Sequence, residues 1–334
     1  MLGALSSLFC RCTRNQQHSA ITQYRNRGTM SQPVDVDRNN ISQILAKYDH
    51  VLLDCDGVVW GKDHMTPIPG VAETISTLRE QGKRVLFVTN NSIHGRQSYL
   101  NKFRKLAGFE ANKEDVFGVA YAAAIYLKDV VPVKGRCYLI GETGFAQEFD
   151  EAGIPHIGVG PDCDPPTGNP QRLMEIELAD DIGAVVVGYD EHFSFNKLFK
   201  AASYLSSPDC MYVATNDMEK GVQLGPGRRQ PIAGAFTAAV TAASRRQPTV
   251  LGKPYHYFLD CIRTKVPEFN PSKALMVGDS LKTDIPFASR NGMDSMLVLT
   301  GVSHWTDIKD AAVQPTYVAQ SVADIGEFCK ASPV

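Results

Sequence analysis

The sequence predicts an α/β protein whose core is a doubly wound parallel sheet, with a second α/β unit inserted into the chain. Three apolar runs of strand length, near residues 50–53, 83–89 and 273–279, each lead into polar residues. Segments with apolar residues at helical spacing follow after short links. Strand–helix alternation with short links is typical of a parallel sheet with helices on both faces.

The bulk composition excludes several functional classes. With 43% hydrophobic and 21% charged residues, the 334-residue chain is long enough for two domains. Its net charge of −2 provides no basic face for nucleic acid, and no apolar run approaches the roughly 20 residues of a membrane span. We therefore expect neither nucleic-acid nor membrane partners. The eight cysteines form no disulfide or zinc pattern, and we interpret them as reduced thiols.

The first 34 residues contain arginines and many serines but no Asp or Glu. This composition is typical of a mitochondrial transit peptide. A disordered extension without a role, and a start at Met30 that yields a cytosolic form, are the alternatives. In every case residues 1–34 form a disordered or targeting tail outside the fold. We expect a cytoplasmic protein, or a mitochondrial one if residues 1–30 act as a transit peptide.

The first predicted core strand ends in two aspartates, Asp54 and Asp56, which flank Cys55. Residues i and i+2 of a strand point the same way, so the two carboxylates converge if the strand geometry continues. They repel each other unless a cation or a shared proton offsets the charge. A turn with two solvated aspartates is the alternative for this stretch alone. Cys55 is expected to point into the core, and oxidation-sensitive regulation through it is the alternative.

The next elements complete the first part of the core. Pro69-Gly70 precedes a predicted helix that ends at Gly82, and a buried strand over 83–89 leads into Thr89, Asn90 and Asn91. Two further helices are predicted over about 96–107 and 119–129.

The residue pattern changes near residue 130, where Val131–Gly135 is interpreted as a linker. Strands are predicted at 137–140, at 184–187 and in a run that ends in residues 214–217, and the stretch 158–170 is interpreted as a loop. Ser194 is a good N-cap for a helix whose apolar positions are predicted to face the core: Phe195, Leu198, Phe199, Ala202 and Leu205. We predict an inserted domain over 133–246 and a discontinuous core over 40–132 and 247–330.

The last part returns to the first pattern. Lys253 opens a helix, a strand over 273–279 ends at Asp279, and Asp284 enters the next helix. A further strand is predicted near 295–299. A parallel sheet gathers strand ends at one edge, so these groups can meet. Three carboxylates suit Mg²⁺, and a hydroxyl, two amides and an ammonium suit a phosphoryl dianion.

These motifs resemble those of the haloacid dehalogenase-like phosphatases, in the phosphoglycolate and pyridoxal phosphatase branch related to p-nitrophenyl phosphatases. The resemblance covers about residues 48–328 and rests on five stretches in the family's order: 54–58, 89–92, 188–194, 251–254 and 278–284. It implies a Rossmann-like core with an inserted α/β cap domain, and an aspartyl-phosphate mechanism.

The resemblance also implies a role for each matching residue. Asp54 would be the nucleophile and Asp56 the general acid and base. Mg²⁺ would be held by Asp54, the Asp56 backbone carbonyl and Asp279. The phosphoryl group and substrate would be bound by four matching positions and one cap residue: Thr89, Asn90, Asn91, Lys253 and Asn216. Asp284 would orient Lys253 or the metal's waters.

The substrate depends on the cap, and the loop 216–230 is its expected selector. That loop contains no His and no aromatic residue, whereas a pyridoxal phosphate site should clamp a ring. We therefore favour a small-molecule phosphomonoester, 2-phosphoglycolate or glycerol 3-phosphate. Lys220, Arg228 and Arg229 either meet a substrate carboxylate or are solvated surface charges. Ile232–Ala235 departs from the family's Pro-Gly-Thr-Gly step, which weakens the carry-over of cap details.

Other functions remain as alternatives. They are a pyridoxal phosphate phosphatase, a protein phosphatase, and a catalytically silent phosphate- or partner-binding protein on the same fold. The presence of all acid, nucleophile and lysine positions argues against silence. His192 is interpreted as a structural histidine rather than a site residue. The family often forms homodimers through the cap, and this chain is a candidate for the same assembly.

Overall fold

A computed structural model of the chain describes residues 32–165, 168–218 and 221–331. The predicted tail therefore lies outside the described residues, except for its last three positions. The predicted fold class is confirmed, because two all-parallel sheets surrounded by helices account for the described chain. No helix in the described ranges is both long and apolar enough to cross a membrane.

The first sheet has seven parallel strands, in the spatial order β1-β14-β13-β12-β2-β3-β4. In chain order they are β1 (Val34–Asp35), β2 (His50–Leu53), β3 (Arg84–Thr89), β4 (Val116–Gly118), β12 (Ala274–Gly278), β13 (Asp294–Val298) and β14 (Tyr317–Ala319).

The second sheet has five parallel strands, in the order β11-β8-β7-β5-β6. They are β5 (Arg136–Ile140), β6 (His156–Ile157), β7 (Ile182–Val187), β8 (Met211–Ala214) and β11 (Thr249–Val250). A separate antiparallel hairpin consists of β9 (Val222–Gly225) and β10 (Arg228–Gln230). Part of the expected selector loop is therefore a β-hairpin.

Helices connect the strands of both sheets. The α-helices are α1 (Ile41–Leu45), α2 (Val71–Glu80), α3 (Arg96–Lys102), α4 (Val119–Ile125), α5 (Thr143–Ala152), α6 (Pro170–Leu173), α7 (Phe195–Tyr204), α8 (Ala233–Ser244), α9 (Tyr257–Lys265), α10 (Asp284–Arg290) and α11 (Ala323–Ala331). π-Helical turns extend α3 over Phe103–Ala107 and α4 over Tyr126–Val130, and 3₁₀ turns cover Lys113–Asp115, Pro271–Lys273 and Trp305–Asp310.

Alternation along the central strands assigns each side chain to one of two cores. Leu52 packs in the apolar cluster that also contains residues of the second sheet, whereas Val51, Leu53 and Cys55 pack on the opposite face. Cys55 is fully buried, as expected from the period-2 alternation of a strand. Burial and the neighbouring carboxylates of Asp54 and Asp56 raise the pKa of its thiol well above the usual value.

The predicted apolar face of α7 is partly wrong. Phe195 is 62% exposed, whereas Asn196 and Lys197 are buried. The physical reason is polar: the Lys197 ammonium forms a buried ion pair with Asp190. The Asn196 side-chain amide donates to the Asp164 carbonyl at 2.7 Å. These contacts rotate the helix away from the orientation that its apolar residues alone predict.

Candidate active site

The polar residues that follow the central strands meet at one edge of the first sheet. Asp54 follows β2, and its backbone N–H donates to the Val277 carbonyl of β12 at 2.9 Å. Asp279 directly follows β12, and Thr89 is the last residue of β3. Because all these strands are parallel neighbours, their carboxyl ends lie at the same edge.

Lys253 carries the positive charge of this edge. Its Nζ lies 3.0 Å from Asp54 Oδ1 and 2.7 Å from Asp284 Oδ1, and it donates to the Val88 carbonyl at 3.0 Å. All three charged side chains are at most 12% exposed. Burial by itself lowers the pKa of Lys253, but the two carboxylates outweigh it and raise that pKa. The lysine is therefore held as a cation.

The Asn90 side chain holds the Lys253 backbone in place through two hydrogen bonds. Its side-chain amide donates to the Lys253 carbonyl, and its Oδ1 accepts from the Lys253 N–H, both at 2.8 Å. The preceding Gly252 admits no side chain, since a Cβ there would lie 2.4 Å from the Thr215 carbonyl oxygen and 2.9 Å from Asn90 Oδ1. A side-chain amide thus attaches the lysine segment to the end of β3.

Three carboxylates form a cluster compatible with a cation. Asp54, Asp279 and Asp284 offer oxygens within 4.8 Å of one another, and all three residues are buried. Burial and the charge of Asp284 raise the pKa of Asp279 to about 7, and burial raises the pKa of Asp54 well above its usual value. One lysine does not neutralise three buried carboxylates, so the all-oxygen donor set fits a hard divalent cation such as Mg²⁺.

Two glycines admit the Asp279 carboxylate into the cluster. Its Oδ2 accepts from the Val302 N–H at 2.7 Å. A Cβ on Gly57, which has a φ of 81°, would lie 2.3 Å from Oδ2, and a Cβ on Gly301 would lie closer still, at 1.7 Å. Only glycine allows this approach at both positions. The 300–302 segment was not assigned to the site from the sequence, since nothing in its composition distinguishes it from other loops.

Asp56 is held apart from the three-carboxylate cluster. Its Oδ1 accepts from Trp60 Nε1 at 2.6 Å and from His64 Nδ1 at 2.7 Å. Burial raises its pKa, but the hydrogen bond from His64, the His64 charge and the Trp60 hydrogen bond outweigh this and lower it. His64 and Trp60 were missed in the sequence. The available signal was a histidine in a short, Asp- and Gly-containing stretch directly after the motif.

The polar run after β3 is organised by its own backbone. Thr89 Oγ1 accepts from the Asn91 N–H at 3.1 Å, and Asn91 Oδ1 accepts from the Ile93 N–H at 2.9 Å. Ser92 Oγ accepts from the Tyr189 N–H of the second sheet's loops at 2.9 Å. This run therefore links the edge of the first sheet to the loop that follows β7 of the second sheet.

The selector residues are less closely connected to the cluster. Asn216 is buried, and its Oδ1 accepts from the Met218 N–H at 2.8 Å, so this oxygen is occupied within its own loop. Arg228 and Arg229 are exposed. Lys220 lies outside the described residues. His192 is exposed, and its N–H donates to Asp190 Oδ1 at 2.8 Å.

Fold and site together define a parallel α/β core with an acidic edge that is compatible with a cation. A haloacid dehalogenase-like hydrolase family model matches residues 51–155, and a HAD-hydrolase-like model matches residues 250–325. The glycerol-3-phosphate phosphatase of Rattus norvegicus is 39% identical, over 84% of this chain and 91% of its own. The chloroplastic phosphoglycolate phosphatase 1A of Arabidopsis thaliana is 33% identical, over 96% and 89%.

A solved structure gives the same assignment. Glycerol phosphate phosphatase from Mycobacterium tuberculosis, in complex with magnesium, matches with a TM-score of 0.68 and 28% identity, over 84% of this chain and 77% of its own. The chain belongs to the haloacid dehalogenase-like hydrolase family. The resemblance drawn from the motifs is thereby confirmed.

Proposed function

We propose that the chain is a Mg²⁺-dependent phosphomonoester hydrolase that acts through an aspartyl-phosphate on a small metabolite phosphate. The main observation that supports this proposal is the position of Lys253 Nζ. It lies between Asp54 and Asp284, whose carboxylates form a cluster with that of Asp279. A buried ammonium beside a carboxylate nucleophile gives a phosphoryl dianion a counter-charge where it reacts. The relatives' names, glycerol-3-phosphate phosphatase and phosphoglycolate phosphatase, support the same class.

In the proposed reaction, an Asp54 oxygen attacks phosphorus as the bond to the ester oxygen breaks. Asp56 gives its proton to the leaving oxygen, and then takes a proton from the water that attacks the aspartyl-phosphate. Phosphate and free Asp54 result. Thr89, Asn91 and Lys253 bind the phosphoryl oxygens, while the Asn90 side chain holds the Lys253 backbone in place.

Asp54, Asp279 and the Asp56 backbone carbonyl would hold the Mg²⁺. The buried, mutually repelling carboxylates fit such a cation, as the raised pKa values of Asp54 and Asp279 indicate. When bound, the ion offsets the repulsion between nucleophile and phosphoryl group. Asp284, fully buried beside Lys253, orients the lysine rather than touching the substrate.

We infer that 2-phosphoglycolate or glycerol 3-phosphate is the substrate, selected by the insert over 133–246, which acts as a cap. The 216–230 loop lacks aromatic residues of its own. However, the Tyr255 hydroxyl donates to Asp217, and the Tyr189 hydroxyl accepts from Gln230 at 2.9 Å. Two rings thus flank the loop, so pyridoxal phosphate belongs in any substrate panel.

A homodimer formed through the cap is part of the proposal. Large apolar side chains are exposed on α7 and on the β9–β10 hairpin, including Phe195 and Leu224. Light scattering of the purified chain measures the assembly, and a monomer at working concentration would contradict it.

The proposed location is the cytoplasm, or the mitochondrion if residues 1–30 direct import. Residues 1–31 lie outside the described ranges. A fluorescent protein carrying residues 1–34 tests this point, because a diffuse cytosolic signal would exclude targeting by the tail.

Hydrolysis assays with Asp54→Asn test the proposal. Wild type should hydrolyse p-nitrophenyl phosphate with Mg²⁺ and lose activity in EDTA, and Asp54→Asn should be folded but inactive. A panel of 2-phosphoglycolate, glycerol 3-phosphate, pyridoxal phosphate and a phosphotyrosine peptide then ranks substrates by kcat/KM. Near-wild-type hydrolysis by Asp54→Asn would refute the nucleophile, and the highest kcat/KM on pyridoxal phosphate would refute the substrate assignment.

A further inference from the structure

A short hairpin follows Asp56 and has a shape fixed by local hydrogen bonds. The Gly61 N–H donates to the Thr66 carbonyl at 2.8 Å, and Trp60 pairs with Pro67 across the hairpin. Within the hairpin, the Asp63 carboxylate accepts from the Met65 and Thr66 N–H groups and from the Thr66 hydroxyl. Such a side-chain-stabilised turn holds its residues in one conformation.

His64 lies at the tip of this hairpin in an unusual backbone conformation. Its φ is +58°, in the left-handed region, and within the described part of the chain only one other non-glycine residue, Arg245, has a positive φ. A left-handed residue other than glycine costs conformational energy. The residue that bears this cost is the one whose imidazole contacts Asp56.

The contact with Asp56 is specific to one carboxylate oxygen. His64 Nδ1 lies 2.7 Å from Oδ1, which also accepts from Trp60 Nε1. Oδ1 acts as an acceptor whether Asp56 is ionised or carries its proton on Oδ2, so the ring carries a hydrogen on Nδ1. Across the described residues no hydrogen bond reaches Asp56 Oδ2, and the Asp56 side chain is 27% exposed. Oδ1 is therefore held by two donors, and Oδ2 remains free of protein hydrogen bonds among the described residues.

The pair contributes little to folding. His64 is 46% exposed, and exposed ion pairs typically contribute about 1 kcal/mol or less. A contribution of this size does not exceed the conformational cost of a left-handed residue other than glycine. A purely structural role therefore does not account for the arrangement.

We propose that His64 is a positioning residue that, together with Trp60, holds Asp56 Oδ1 so that Oδ2 faces the leaving oxygen of the substrate. The inference rests on the proposed function, because Asp56 must act as the general acid. Proton transfer requires the donor within hydrogen-bond reach of its acceptor, and a carboxyl free to rotate spends less time there. The benefit is largest for esters whose leaving oxygen needs a proton.

The test compares three esters that differ in their demand for a proton. p-Nitrophenolate leaves as a stable anion, phenolate of nearly the same size leaves less readily, and the alkoxide of glycerol 3-phosphate needs the proton most. His64→Gly removes the imidazole and readily adopts the left-handed backbone. His64→Asn also tolerates that backbone and places an amide N–H near the position of Nδ1. His94→Gln alters an exposed histidine near Tyr99 and is the matched control.

The expected result is a loss that depends on the leaving group. General acids contribute about 100- to 10,000-fold, so His64→Gly should lower kcat/KM by about tenfold or more on glycerol 3-phosphate and less than about twofold on p-nitrophenyl phosphate. Phenyl phosphate should fall between them. His64→Asn should recover most of the loss, and His94→Gln should match wild type on all three esters.

Two results would overturn the proposal separately. An equal loss on all esters, or no loss, in variants of an active wild type would refute positioning by His64 while leaving the hydrolase function intact. A wild-type chain that hydrolyses none of the esters with Mg²⁺ would instead refute the proposed function, and the role of His64 with it.

Discussion

Asp279 should make the metal-free protein less stable as the pH rises. Its carboxyl has an ordinary pKa of 3.8 in the unfolded chain, but burial and the Asp284 charge raise this to about 7 in the folded state. A carboxyl with a raised folded pKa contributes its full stability below the unfolded pKa, and loses it as the pH rises through the folded pKa. The shift corresponds to an upper value of about 4 kcal/mol.

The variant Asp279→Asn isolates this effect, since its amide does not titrate. In EDTA, the free energy of unfolding of Asp279→Asn relative to wild type should increase by about 3 kcal/mol between about pH 5 and about pH 8. Urea denaturation followed by tryptophan fluorescence measures the difference. Excess Mg²⁺ at the higher pH should stabilise wild type well above Asp279→Asn, because binding to the folded state adds stability.

Two outcomes would refute this reasoning. A difference between the two proteins that stays flat with pH in EDTA would show that Asp279 is ionised at no cost in the folded state. Equal stabilisation of both proteins by Mg²⁺ would show that Asp279 does not hold the ion.

Three further predictions concern buried charges and thiols. Lys253→Met should abolish hydrolysis, as kinetic assays would measure. It should also destabilise the metal-free fold by about 3 kcal/mol in urea denaturation, because the buried carboxylates of Asp54 and Asp284 lose their cationic partner. Glu148→Gln should lower the unfolding free energy by about 2 kcal/mol, since buried Arg96 loses its Glu148 charge partner at 2.8 Å but keeps Glu151 at 2.9 Å. Arg96→Met combined with it should cost less than the sum of the two single changes. A thiol reagent should label exposed Cys163 in the native protein and leave Cys55 unmodified until denaturation, and rapid native labelling of Cys55 would contradict its burial.

The sequence predicts the chemistry-bearing strand ends well because two simple signals coincide there. Asp54, Thr89 and Asp279 each follow an apolar run, and parallel topology brings the ends of such runs to one edge. The strands of the first sheet that the prediction missed, β1, β4 and β14, have only two or three residues, too few for a periodic signal. The burial of Cys55 also follows from alternation alone.

Contacts set by loops were not predictable in the same way. His64 reaches Asp56 only because a hairpin with a left-handed residue closes between them, and no periodicity encodes that approach. The buried face of α7 failed for a related reason. Lys197 and Asn196 are inside because of partners in other loops, which a count of apolar residues cannot detect.

Lys253 connects the proposed chemistry to the second sheet more directly than the motif order suggests. Only two residues separate it from the end of β11, a strand of the second sheet, and the Gly252 N–H still donates to the Thr215 carbonyl at 3.0 Å. Its ammonium is nevertheless buried at the edge of the first sheet, where Asn90 holds its backbone. Moving the second sheet away would break one of these attachments or withdraw a buried cation from two carboxylates, which is costly. The part of the chain that we propose selects the leaving group is therefore mechanically coupled to the residue that we propose binds the phosphoryl group.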